Sequence, residues 1–220
     1  QYDLALLDYS KCIDLMPEYP SVYNNRAKFH LRQKDYENAE KDFNTLIKID
    51  KSNYQSYNER GLYYGLIGKY EEAHKDFEKS IKLDTSSGTV YYNRHKIYEK
   101  QGLVEKQKAD LLKSIEMDAK DPEGYYYLAI LYEKQEKYYK VVSNYKDALR
   151  CLEAPNGYII SDDNGDKIPH FKIYLKVAST FKKIEEYEDM CEFYKKALNA
   201  ADSFVEEKKK IEELIQANCN

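Results

Sequence analysis

Hydrophobic and aromatic positions recur along this chain with a fixed period. The tetrad Tyr23–Arg26 returns as Tyr57–Arg60 and again as Tyr91–Arg94, each time 34 residues later. A fixed period of this length indicates an array of stacked structural units. Counted from three residues before each tyrosine, the complete units begin at Pro20, Tyr54, Gly88, Pro122 and Phe171.

The spacing inside one unit predicts two amphipathic helices. Apolar columns follow one another at distances of three, four and seven residues, which places them on one face of a helix. Short polar turns such as Lys34-Asp35 and Gly68-Lys69 separate the two helices. A helix pair cannot bury its large aromatic face alone, so successive pairs must stack. The tyrosine column itself is Tyr23, Tyr57, Tyr91, Tyr125 and Tyr174.

The pattern resembles the tetratricopeptide repeat (TPR) superfamily. The residues that carry the resemblance are Tyr57, Gly61, Tyr64, Tyr70, Ala73 and Phe77, together with Pro17. It implies an all-α fold, a right-handed α-solenoid of antiparallel helix pairs. The expected segments are 1–19 (second helix of a truncated repeat), 20–53, 54–87, 88–121 and 122–152 (repeats), 153–170 (insertion), 171–201 (repeat) and 202–220 (capping helix).

The two ends of the chain differ in this interpretation. The first residues align with the second helix of a unit, so we expect the chain to begin inside a longer array. At the other end, Asp202 or Ser203 is expected to cap the last helix. Its apolar side is expected to be Phe204, Val205, Ile211, Leu214 and Ile215.

Composition argues against several classes of function. The net charge is −4, and no basic stripe with interleaved aromatic residues points to nucleic acid. No apolar run is long enough to span a membrane. No nucleophile–base pair, phosphate loop or metal cluster is recognisable, so we expect neither an enzyme nor a cofactor or metal site.

The cysteines are expected to be reduced structural thiols. Cys12, Cys151, Cys191 and Cys219 match no zinc or Cys-x-x-Cys spacing. Reduced thiols favour a cytoplasmic location.

Three arginines predict internal ion pairs. Arg26, Arg60 and Arg94 each precede an aspartate by the same spacing, namely Asp42, Asp76 and Asp110. In the next unit both positions change together, to Leu128 and Asn144. This joint loss indicates an ion pair between the two helices of a unit, although pairing with the preceding unit is a rival geometry.

A second pair of positions departs from its columns. His95 stands where other units have Ala27 or Gly61, and Gln107 stands where Ala39 recurs. We expect His95 and Gln107 to face each other in a slightly splayed helix pair.

The resemblance implies that the first helices line a concave face. The inward positions lie one, two and five residues after the tyrosine column, and we call the surface they form the first-helix face. They are Asn24, Asn25, Lys28, Asn58, Glu59, Leu62, Tyr92, Asn93, Lys96, Tyr126, Tyr127 and Ile130, with Lys172, Lys176 and Lys182 added on the last first helix.

This face suits a protein partner. Asparagines can bind a peptide backbone, and exposed adjacent tyrosines would need to be covered. We therefore expect an interaction scaffold or adaptor that binds an extended peptide or an amphipathic helix, and Tyr126→Ala to weaken binding without loss of helicity. Alternatives are a regulatory or substrate-recognition domain of a larger enzyme and a self-assembling subunit, a homo-oligomer.

The insertion predicts a protruding hairpin. Asn164-Gly165 is a strong two-residue turn and Tyr158–Ile160 a short strand candidate. Tyr158 and Ile159 are expected to be exposed, where they would extend the binding face or contact a second copy.

Overall fold

A computed structural model describes residues 2–154, 158–162 and 165–219, and these residues form twelve helices. The helices are α1 (Tyr2–Leu15), α2 (Pro20–Arg32), α3 (Tyr36–Ile49), α4 (Tyr54–Leu66), α5 (Tyr70–Leu83), α6 (Gly88–Lys100), α7 (Val104–Met117), α8 (Pro122–Lys134), α9 (Tyr138–Glu153), α10 (His170–Lys183), α11 (Tyr187–Ala200) and α12 (Val205–Asn218).

The turns inside the helix pairs share one backbone conformation. Lys34, Gly68, Gly102 and Glu136 follow one another at the period of the repeat, and each has a positive φ between 56° and 79°. Glu185 adopts the same conformation in the last pair, with φ 64°. A left-handed residue ends a helix by turning the chain back, and only glycine adopts it without a steric cost. The non-glycine turns therefore depend on the packing of the helices that flank them.

The chain divides into two compact units, residues 1–110 (unit 1) and 111–220 (unit 2). In unit 1, α2 packs on α3 and α4 on α5, and each pair packs on the next. The core of this unit contains Ala73 and Phe77, which carried the sequence resemblance. Its buried members include Ala39, Phe43, Tyr63, Ala73, Phe77, Val90 and Ile97.

Gly61 allows the two helices of one pair in unit 1 to approach closely. A Cβ atom at this position would lie 3.1 Å from the ring of Phe77. That distance is shorter than ordinary van der Waals contact, so a larger residue would push α4 away from α5.

Unit 2 repeats this construction with α8 on α9 and α10 on α11. Its core includes Leu111, Tyr126, Tyr145, Ile173, Val177, Met190 and Phe193. Ile160, from the insertion, belongs to the same core and is completely buried.

The last helix covers the end of unit 2, but not as expected. It begins at Val205, and neither Asp202 nor Ser203 is its N-cap residue. Phe204 stands at the N-cap and packs against Phe171, with ring centroids 4.9 Å apart and the rings tilted. Of the predicted apolar side only Ile211 is fully buried, and Ile215 is partly buried.

A disulfide corrects the expectation that all cysteines are reduced. Cys191 on α11 is bonded to Cys219, which follows α12. Cys12 and Cys151 are free thiols. The spacing of the bonded pair carries no motif, so only the folding of α12 back onto α11 brings the two sulfurs together. The argument from reduced thiols for a cytoplasmic location no longer applies.

The described part of the insertion is anchored inward at Ile160, while Gly165, Asp166 and Lys167 are exposed. Tyr158–Ile160 is not a strand, and the insertion forms one antiparallel bridge, between Ser161 and Lys167, among the described residues. The N–H of Ile168 also donates to the carbonyl of Ile160 at 2.8 Å. The segment turns inward because Ile160 is drawn into the core of unit 2. The predicted turn at Asn164 lies outside the described residues.

Candidate functional site

The three arginines form ion pairs within their own helix pairs. Arg26 donates from Nε and Nη2 to the two carboxylate oxygens of Asp42, at 2.8 and 2.6 Å. The pairs Arg60–Asp76 and Arg94–Asp110 have the same two-pronged geometry. The hydrogen bonds to Asp42 raise the pKa of Arg26. The sequence left two geometries open for these ion pairs. The structure has the geometry in which both members belong to the same helix pair.

Arg60 also reaches the preceding helix pair, through a neutral partner. Its Nη1 donates to Oδ1 of Asn44 on α3 at 2.7 Å. All three aspartates are buried, so these arginines are occupied internally. They belong to the scaffold that holds the first helices in place.

In unit 1 the first-helix face brings polar side chains from successive first helices into contact. Nζ of Lys28 on α2 lies 2.6 Å from Oε1 of Glu59 on α4. Nδ2 of Asn93 on α6 donates to Oδ1 of Asn58 on α4 at 3.1 Å. Asn25 is exposed and lies on the same face of α2. Polar side chains at the predicted positions of α2, α4 and α6 therefore contact one another in unit 1.

A small cleft opens on this surface between α2 and α4. It has a volume of about 110 Å³, and its lining is mainly polar: Pro20, Ser21, Asn24, Leu46, Asn53, Gln55, Ser56 and Glu59. The carboxamide oxygen of Asn24 is buried and has no hydrogen-bond partner among the described residues. Buried polar atoms are normally satisfied, so this oxygen is an acceptor for which a partner can provide the donor.

Two tyrosines expected on the exposed face are core residues instead. Tyr92 is 7% exposed and Tyr126 is 6% exposed. The ring of Tyr126 packs 5.6 Å from that of Tyr145, and burial raises the pKa of its hydroxyl. Nζ of Lys96 covers the ring of Tyr92 at 4.4 Å. The position one residue after the tyrosine column points partly into the helix interface, which is why these large rings are buried.

The insertion covers the first-helix face of α8. The hydroxyl of Tyr127 donates to the carbonyl of Ser161 at 2.9 Å, and the hydroxyl of Tyr158 donates to Asp118 at 2.8 Å. The hydrogen bond to Asp118 raises the pKa of Tyr158. Tyr158 is therefore half-buried rather than exposed, whereas Ile159 is 49% exposed, as expected.

The lysines of α10 are mostly engaged within unit 2. Nζ of Lys176 lies 3.4 Å from Glu133 on α8, and Nζ of Lys182 donates to Asn218 of α12 at 2.6 Å. Lys172 is exposed, and Ile130 is half-buried against the core. Leu62 in unit 1 is likewise half-buried.

His95 and Gln107 are both buried. Nδ1 of His95 lies within hydrogen-bonding distance of the carbonyl of Tyr92, an acceptor that requires the proton on Nδ1. Burial disfavours the charged ring and lowers the pKa of His95 to about 4. The direct pairing of His95 with Gln107 stays a prediction.

Family models match the chain at the predicted repeats. A model described as "Tetratricopeptide repeat" matches residues 20–53, 88–121 and 171–204, and one described as "TPR repeat" matches residues 66–102. Together they cover more than half of the chain. The chain belongs to the tetratricopeptide repeat superfamily. The expected fold class, an all-α solenoid of such repeats, is confirmed.

Solved structures with this fold resemble the chain closely in backbone and distantly in sequence. One similar structure is MamA, with 17% sequence identity and a TM-score of 0.64 over 87% of this chain and 96% of that chain. Another is PilW, a type IV pilus biogenesis factor, with 16% sequence identity and a TM-score of 0.69 over 96% of this chain and 90% of that chain. A third is YrrB, a TPR protein with an unusual peptide-binding site, with 18% sequence identity and a TM-score of 0.57 over 90% of this chain and 94% of that chain. No curated protein sequence matches the chain.

Tetratricopeptide repeat proteins bind protein partners and are generally non-catalytic scaffolds. Among the described residues, no helix combines the length and the apolar character needed to cross a membrane. The same residues contain no cluster of metal-ligating side chains. The general class of function supported here is therefore a protein–protein interaction scaffold.

Sequence reasoning missed two features of the site. Asp118 and Glu123 hold the insertion through polar contacts, and no column singles out either residue. The unpartnered oxygen of Asn24 was equally invisible, because hydrogen-bond satisfaction depends on neighbours from α4.

Proposed function

We propose that this chain is a non-catalytic interaction module that binds an extended peptide segment of a partner protein on the first-helix face of unit 1. The observation that carries the proposal is the mainly polar cleft between α2 and α4, where the carboxamide oxygen of Asn24 has no hydrogen-bond partner among the described residues. A backbone N–H of an extended peptide in this cleft is a donor for that oxygen once the Asn24 side chain turns towards the cleft.

The chemistry of the face favours an extended polar segment over an amphipathic helix. A helix docks through a stripe of apolar anchors, and the groove that receives it must be apolar as well. Tyr92 is buried, and the surface is formed by groups such as Asn25, Lys28, Glu59 and Asn93. Carboxamides and paired charges match the alternating donors and acceptors of an extended backbone.

A binding role for Asn24 differs from a structural role in its effect on stability. Removal of a buried oxygen that has no partner removes a desolvation penalty, so Asn24→Ala should leave the free energy of unfolding unchanged or raise it. The same change removes an acceptor from the face, so it should weaken peptide binding.

The test starts with short peptides selected from a random display library on the wild-type chain. These peptides should bind the double variant Asn24→Ala, Asn25→Ala at least tenfold more weakly, with unchanged helical content by circular dichroism. Lys75→Ala, an exposed change on the second helix α5, is the matched control and should bind like wild type. Equal binding to the double variant and the control contradicts the proposal.

A further inference from the structure

The segment Tyr158–Asp162 of the insertion lies along α8 in the way that a bound peptide would. Its first residue donates a tyrosine hydroxyl to Oδ2 of Asp118 at 2.8 Å. Three residues later, the carbonyl of Ser161 accepts from the hydroxyl of Tyr127 at 2.9 Å, and its N–H lies 3.4 Å from Oε1 of Glu123. Side chains of unit 2 therefore bind both the N–H and the carbonyl of Ser161.

Two adjacent side chains of the segment face opposite ways, one to solvent and one to the core. Ile159 is 49% exposed, whereas Ile160 is completely buried among the core residues of unit 2. This alternation is that of an extended chain with one side in contact with a surface. One aliphatic side chain anchors the segment, and polar contacts lie on both sides of it.

The covered surface is the counterpart of the face left open in unit 1. Tyr127 lies two residues after the tyrosine column, as Glu59 and Asn93 do in unit 1, and Glu123 lies two residues before it. The insertion therefore occupies on α8 the positions at which α4 and α6 present polar groups.

We propose that residues 158–162 are an intramolecular ligand of α8, and that the face they fill recognises an extended segment with the pattern tyrosine, any residue, aliphatic. Asp118 accepts a hydrogen bond from the tyrosine hydroxyl, and the aliphatic side chain packs into the core of unit 2. Glu123 and Tyr127 form hydrogen bonds with the backbone of the residue that follows. A tethered ligand acts at a high effective concentration. A separate peptide with the same sequence pattern is therefore excluded from α8 while the insertion is bound there.

One consequence rests on the proposed function. With α8 closed, a peptide partner is restricted to the other first helices, of which α2, α4 and α6 carry the proposed face. The insertion would then decide where along the array a partner binds, without contacting the partner itself.

The experiment supplies the ligand from outside. The probe is a blocked synthetic peptide that copies residues 158–162, Tyr-Ile-Ile-Ser-Asp, titrated against labelled protein by NMR. Ile160→Ser removes the aliphatic side chain that anchors the insertion in the core. This variant should bind the peptide at least tenfold more tightly than wild type, with chemical-shift changes at Tyr127. Ile159→Ser, the adjacent exposed change, is the control and should behave like wild type. Equal binding to all three proteins overturns the proposal.

A second variant covers the case in which Ile160→Ser unfolds unit 2. Tyr127→Phe removes only the hydroxyl that holds Ser161, and it should raise the rate of tryptic cleavage after Lys167 several-fold. Tyr139→Phe, on an exposed tyrosine of α9, should leave that rate unchanged. No difference between these two variants also overturns the proposal. If library peptides fail to bind unit 1 while these results hold, only the proposed function fails.

Discussion

At the residue scale, the Arg26–Asp42 pair shows why tyrosine and arginine of the repeated tetrad belong to the scaffold. The carboxylate of Asp42 is buried and receives two hydrogen bonds from one guanidinium. Such a pair is costly to break from one side, because the remaining charge is left without solvent or partner. The fourth repeat avoids this cost, since it replaces both members together by Leu128 and Asn144.

Arg26→Leu should therefore destabilise the chain more than the double variant that also carries Asp42→Asn. We expect the single change to lower the free energy of unfolding by about 2–3 kcal/mol. The double change copies the fourth repeat and should recover at least half of that loss. Urea unfolding followed by circular dichroism measures both values. A double variant no more stable than the single one would show that Asp42 is not the group left uncompensated.

Burial of His95 makes stability depend on pH. Its pKa is lowered to about 4 in the folded chain, whereas an unfolded histidine titrates at about 6.5. Between these values the unfolded chain binds more protons, so stability should be fully present above about pH 6.5 and fall as the pH drops towards 4. The loss attributable to this ring is up to about 3 kcal/mol.

The control for this pH dependence is His95→Ala, which restores the small residue found in the other repeats. Comparison of unfolding free energies between pH 4 and pH 7 should show a shallower slope in this variant. A slope identical to that of wild type would assign the dependence to other groups, namely His170, whose pKa burial also lowers, and the carboxylates.

At the scale of elements, the last helix is held by a few contacts that differ in kind. Phe204 packs against Phe171 at its start, Ile211 is buried in its middle, and the Cys191–Cys219 bond closes its end. A helix with one buried residue gains little from packing alone, so the covalent link contributes much of its stability.

Reduction of the disulfide should release α12. The bond has a sequence separation of 28, and the loss of the loop constraint should lower stability by about 3–4 kcal/mol in the chain-entropy model. Thermal unfolding with and without a reducing agent measures the effect in wild type, in Cys191→Ser and in Cys12→Ser. Only Cys191→Ser should lose the response to reductant. Four free thiols in protein unfolded without reductant would rule out the bond.

At the scale of the whole molecule, the division into two compact units should confine the destabilising effect of a mutation mainly to the unit that contains it. Stacked repeats contact mainly their neighbours, so local losses of packing need not spread evenly along the chain. Tyr126 belongs to the core of unit 2, while the proposed peptide face belongs to unit 1.

Tyr126→Ala should act on stability, contrary to the expectation that it acts on binding alone. Loss of a buried aromatic ring costs about 3–5 kcal/mol. Hydrogen exchange should show reduced protection in α8, α9 and α10 and a smaller change in α2, α3 and α4. Tyr139→Ala, on an exposed position of α9, should change neither region. Uniform loss along the chain would mean that the units unfold as one.

The sequence by itself determined the helices, their turns and the stacking columns, and it indicated that Arg26, Arg60 and Arg94 form ion pairs. These features recur with the fixed period of the array, and a repeated spacing reports which side of a helix is buried. The first-helix positions of unit 1 were implied by the resemblance to the tetratricopeptide repeat superfamily.

Only the tertiary structure decided which of those positions are available to a partner. Tyr126 is buried by Tyr145, the oxygen of Asn24 lacks a donor, and the insertion folds onto α8 through Ile160. The disulfide between Cys191 and Cys219 was likewise decided only by the tertiary structure. Each depends on residues from different helices or loops meeting in space. Helical spacing along one element contains no information about such meetings, because burial and hydrogen bonding across elements are set by the packing of the folded chain.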